Sequence, residues 1–69
     1  MAGGDGMNNI CYGVAGMDGG FIETSATIKG AKRSATNSGY SEVYAMHRVS
    51  WAVWLVATKE DGKWRNSDD

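Results

Sequence analysis

The sequence predicts a small α+β domain: an antiparallel sheet of four to five strands in the order ββαββ, with one helix packed on one face. Three observations lead there. Alternating apolar residues recur in short runs, as in half-buried strands. Two Asp-Gly pairs sit where hairpins need residues that accept positive φ. One central stretch, "TSATIKGAKRSATNSGY", changes to helical period.

From Ile10 onward, Ile10, Tyr12 and Val14 fall on one side and Cys11, Gly13 and Ala15 on the other. "MDGG" then marks a turn, and Phe21 to Ser25 is expected to return antiparallel. Ser25 or Thr27 can accept from the first free amides of a helix. Ile28, Ala31 and Ala35 form its narrow apolar stripe, and Gly39 ends it as a left-handed C′ residue with Tyr40 closing over Ala35. Glu42 to His47 reads as a third strand, with Val43, Ala45 and His47 opposite Tyr44 and Met46. "RVS" is a poor turn by composition, so the break before Trp51 is weakly marked. Trp51 to Thr58 reads as the fourth strand. A two-residue loop at Asp61 and Gly62 opposes Glu60 to Lys63 and Lys59 to Trp64, leaving Lys63 to Asn66 as a short fifth strand.

The run "WAVWLVA", Trp51 to Ala57, is apolar at every position. Simple alternation puts Trp51, Val53, Leu55 and Trp64 beneath the helix. Ala52, Trp54 and Val56 then face away with nothing to cover them, which marks an interface.

The 69 residues make one domain, expected over 9–66, between a flexible leader at 1–8 and a frayed tail at 67–69. The leader is either not native or an upstream start ahead of Met7. A chain this short usually relies on a disulfide, a metal or oligomerisation. Its one Cys and one His provide neither of the first two, so a homodimer or higher oligomer is expected. Net charge is −1, with seven basic and eight acidic residues, so no general attraction to nucleic acid or membrane follows. No apolar run approaches the roughly 20 residues of a membrane helix, and no secretory leader opens the chain.

The glycines of "GVAGMDGG" fit neither GxxxxGK[ST] nor GxGxxG, and the turn accounts for them. Lys29, Lys32 and Arg33 share one flank of the helix, either as a solvated face or as an anion site that Arg48 joins. His47 lacks both a nucleophile and an orienting acid, so it is read as structural or ligand-contacting. Cys11 reads as a small buried hydrophobe. Of Tyr40, Tyr44, Trp51, Trp54 and Trp64, core packing claims at least half, and Trp54 and Tyr44 are the candidates for stacking on a base.

The stretches "TIKGAKRSATNSGYSEVYAMHR" and "WLVATKEDGKW", a basic helix ahead of a hairpin ending in DGKW, resemble small phage-encoded anti-defence proteins. The resemblance spans residues 9 to 65 in pattern. It implies a viral protein in the host cytoplasm, either a sponge for nucleotide immune signals or an anti-CRISPR-like inhibitor, and it carries over no site residues.

The expected function is therefore non-enzymatic: sequestration of a small anionic nucleotide-like signal, without cofactor, metal or catalytic residues. Lys32, Arg33 and Arg48 would meet phosphates, Tyr44 or Trp54 a base, and His47 the ligand edge. The alternatives are an inhibitor docking on a host effector protein and a small nucleic-acid-binding regulator, the latter with salt-sensitive binding.

Overall fold

The computed structural model describes residues 9–67. The expected leader and the last two tail residues lie outside the described residues. Five strands, β1 (Ile10–Ala15), β2 (Phe21–Ser25), β3 (Glu42–His47), β4 (Val53–Glu60) and β5 (Lys63–Asn66), form one antiparallel sheet in the order β2-β1-β3-β4-β5. The helix α1 (Ile28–Ser38) joins β2 to β3 and lies over β2, β1 and β3. It is too short and too polar to cross a membrane.

The local chemistry that predicted α1 also bounds it. Thr27 is the N-cap, its Oγ1 accepting from Gly30 N at 3.1 Å. Gly39, at φ 84°, ends the helix, and Tyr40 N donates to Ala35 O at 2.8 Å. Ala31 and Ala35 face a core that also holds Val14, Val43 and Ala57. Such small side chains let the helix approach the sheet closely, but they leave little apolar volume inside. Val43 and Cys11 are the largest fully buried side chains among the described residues.

Register decides which face each side chain takes, because directly opposed residues in adjacent strands point the same way. Tyr12 lies opposite Ala45, and Ala45 opposite Trp54, so Trp54 points to the helix side. Tyr44 lies opposite Leu55 and Met46 opposite Val53, so Val53 and Leu55 point to the helix-free side. This overturns the assignment from simple alternation, which had Val53 and Leu55 under the helix and Trp54 and Val56 facing away. The cause is a bulge. Tyr44 pairs with Leu55 and Val43 with Ala57, so Val56 is an extra residue in β4. Beyond it the phase is reversed, and Ala57, Lys59 and Trp64 return to the helix side, where Trp64 packs on the core. Val56 itself packs there too.

Trp51 does not belong to the strand. It precedes β4 in a turn with φ 65°, so the strand begins two residues later than expected. The weak turn composition is compensated by His47, whose Nδ1 accepts from the amides of Val49 (3.2 Å) and Ser50 (3.3 Å). At the other end of β4, Asp61 and Gly62 both take positive φ and set the expected pairing of Glu60 with Lys63 and Lys59 with Trp64. Ser67, the first residue of the expected tail, is tied to β4 through Val56 O and Leu55 O.

Candidate functional site

The helix covers the β2-β1-β3 half of its face and leaves β4 and β5 to be reached by long side chains. Two do so: Lys32 Nζ donates to Asn66 Oδ1 at 2.8 Å, and Trp64 Nε1 to Thr36 Oγ1 at 3.0 Å. Towards the start of the helix the gap stays open, as a cavity of about 250 Å³ lined by Tyr12, Ile28, Trp54, Leu55, Val56, Asn66 and Ser67. Trp54 is 42% exposed there, an aromatic surface that a fully covered core position would hide.

The rim is polar and weakly positive. The first turn of α1 contains no acidic residue, so the positive end of its dipole is not neutralised from within. Asn66, bonded by Lys32, brings that ammonium to the edge of the cavity. The groove thus combines two aromatic side chains, an amide and one cation.

The six residues expected to bind ligand do not form one cluster. Lys32 and Trp54 come together at the groove, through Asn66. Arg33 follows Lys32 on the helix and is exposed. Arg48 is on the opposite side of the sheet, where Nη2 holds Glu23 Oε2 at 2.8 Å and Nη1 holds Oε1 at 3.4 Å. That carboxylate raises the guanidinium pKa further, by hydrogen bonding and then by charge. Tyr44 also faces the helix-free side, donating from Oη to Glu42 Oε1 at 3.0 Å. The bond holds the phenol proton and raises its pKa, with burial and the Glu42 charge adding to the effect. His47 uses Nδ1 within its own turn.

Cys11 is buried on the helix-free side, where its Sγ donates to Met46 O at 3.8 Å. Burial first, then the negative charge of Glu23, raises its thiol pKa, the opposite of what a nucleophile needs. Among the described residues no three His, Cys, Asp or Glu side chains gather as metal ligands.

Sequence reasoning missed Tyr12, Ile28 and Asn66 as groove residues. Asn66 was within reach, because the Asp61–Gly62 hairpin places it opposite Ala57 on the face of Trp64. Tyr12 and Ile28 carry no signal that separates a core residue from a groove wall. Comparison with protein-family models, curated proteins and solved structures finds no match.

Proposed function

We propose that the protein is a non-enzymatic binder that sequesters a small anionic, nucleotide-like molecule in the groove beside α1, as a phage-type anti-defence sponge does. The observation that carries this reading is the half-exposed Trp54, lining the same cavity as Tyr12 with Lys32 at its edge. A cavity of about 250 Å³ has room for a planar base. The base stacks on Trp54, and the phosphates remain outside it beside Lys32 and Arg33. Arg48, Tyr44 and His47 have no part in this site. Self-association of the chain is a second part of the proposal, because so small a core gains from a partner.

Titration with a panel of nucleoside phosphates and cyclic dinucleotides, followed by tryptophan fluorescence and thermal shift, tests the reading. A ligand at about 100 times its Kd adds roughly 2.7 kcal/mol to the folded state, a rise in Tm well above noise for a domain of this size. Trp54→Ala should abolish that rise and Lys32→Met should weaken binding about tenfold, while Arg48→Met leaves it unchanged. No shift with any member of the panel, or equal binding by Trp54→Ala, removes the groove as the site.

A further inference from the structure

We propose that the groove beside α1 selects guanine-type bases, the 6-oxopurines, over adenine, and that Lys32 sets this choice by fixing the side-chain amide of Asn66. The inference rests on the reading of the groove as a nucleotide site and names the base that such a site takes.

An asparagine at a base edge ordinarily favours adenine. Its amide oxygen accepts from the adenine N6 amino group while its NH2 donates to N7. That pairing needs a free amide oxygen. Here the oxygen is engaged, because Lys32 Nζ donates to Asn66 Oδ1 at 2.8 Å. An ammonium has donors and no acceptor, so the contact also identifies which end of the amide is oxygen. A hydrogen bond from a charged donor is about twice as strong as a neutral one, and this one is partly buried. The second lone pair of Oδ1 lies next to a full positive charge, which repels a further N–H. The amide therefore has its NH2 to offer.

The rest of the lining does not reverse that preference. Asn66 is on the helix side of β5, opposite Ala57, and shares the cavity wall with Trp54 and Ser67. Two backbone carbonyls of the wall are already used: Val56 O accepts from Ser67 N and Leu55 O from Ser67 Oγ, both at 2.9 Å. The Trp54 indole has a donor and no acceptor, and the Tyr12 hydroxyl can rotate to serve either kind of partner. Ser67 Oγ, its proton given to Leu55, accepts from amino groups, which guanine and adenine both carry.

The two purines differ where the amide differs. Guanine presents two neighbouring acceptors, O6 and N7, whereas adenine puts an amino group beside N7. The two protons of the Asn66 NH2 suit both acceptors of guanine. Against adenine the same NH2 sets donor against donor and leaves a polar group without a partner. Hypoxanthine shares the O6 and N7 edge and should bind as guanine does. The Lys32 ammonium keeps two protons for the phosphate, so one side chain both attracts the nucleotide and sorts its base.

Isothermal titration calorimetry of the full chain with GMP, IMP and AMP reads the choice. The wild type should bind GMP and IMP at least about tenfold more tightly than AMP, the discrimination that one good base contact gives. Lys32→Met should weaken all three through the lost phosphate contact. It should also bring GMP and AMP within about threefold of each other, because Oδ1 is freed. Lys32→Arg keeps a donor on Oδ1 and should keep the discrimination. Asn66→Asp offers acceptors alone, retains a partner for Lys32, and should favour AMP. Equal binding of GMP and AMP by the wild type, or a ratio that Lys32→Met leaves unchanged, overturns the inference. The groove itself stands in that case if Trp54→Ala abolishes the binding. No binding by any of the three also overturns the inference, and the wider nucleotide panel then decides whether the groove is a site at all.

Discussion

Replacing Gly13 with alanine should destabilise the protein strongly, against the usual direction of such a change in a strand. A Gly→Ala substitution at a compatible position normally adds about 0.4–1 kcal/mol by restricting the unfolded chain. Gly13 sits in the middle of β1, beside a bulge in β2: Tyr12 pairs with Ser25 and Gly13 with Glu23, leaving Thr24 extra. A Cβ on Gly13 would overlap the carbonyl oxygen of Ile22, with Ile22 C at 2.8 Å and Glu23 Cα at 3.0 Å. All three are backbone atoms, so no rotamer change relieves the clash. Overpacking of this kind costs about 1–3 kcal/mol, and parting β1 from β2 weakens ladder hydrogen bonds worth roughly 1 kcal/mol each. The net expectation is a loss of about 2–3 kcal/mol. For a domain of this size that is a fall in Tm of roughly 10–20 °C. Urea and thermal unfolding followed by circular dichroism measure it, at one fixed protein concentration so that any association cancels. Gly20→Ala is the control, because its nearest neighbour is the Asp18 side chain at 3.3 Å and its φ is not left-handed. That variant should stay within about 0.5 kcal/mol of wild type. A Gly13→Ala protein as stable as the control would refute the close approach of β1 and β2 at the bulge.

Three further outcomes follow from single side chains. Thr27→Ala removes the acceptor for Gly30 N and should lower stability by about 1 kcal/mol, with Thr27→Ser restoring most of it in the same unfolding assay. Alkaline pH should destabilise the fold. The Cys11 thiol and the Tyr44 phenol both have raised pKa values in the folded chain, so the unfolded chain gives up these protons first. Their contribution is complete below the ordinary thiol value of 9.0 and is lost as pH rises through the folded values, the sign that urea midpoints between pH 7 and 11 should show. Native Cys11 should correspondingly resist alkylation until the protein unfolds; rapid labelling of the folded chain at pH 8 would contradict its burial.

The elements were legible where the signal is local. Thr27 and Gly39 bound the helix through their own side-chain and backbone chemistry, and Asp61 and Gly62 fix a hairpin because both accept positive φ. The first Asp-Gly pair is less simple. Only Gly19 is left-handed there, and the loop closes through Gly19 N to Gly16 O and Gly16 N to Gly20 O, with Asp18 Oδ1 accepting from Gly20 N. The turn after His47 could not be read from composition, because an imidazole supplies the acceptor that turn residues usually provide.

Phase was not legible. "WAVWLVA" contains apolar residues on both parities, so its periodicity cannot reveal that Val56 is an extra residue. The bulge is visible only once β3 is beside β4, since it is a mismatch between two strands and not a property of either. Its consequence reaches both surfaces of the sheet. Because Val56 is inserted, Trp54 and Ala57 share the helix side although three positions separate them, which brings an aromatic side chain to the gap that α1 leaves. The same insertion turns Val53 and Leu55 onto the face without a helix, in line with Tyr44 and Met46. Strict alternation would have placed a tryptophan on the bare face and drawn two aliphatic residues under the helix. The bulge instead gives the groove its Trp54 and leaves Val53 and Leu55 on the helix-free face. One unpaired residue therefore decides which apolar side chains each face of the sheet receives.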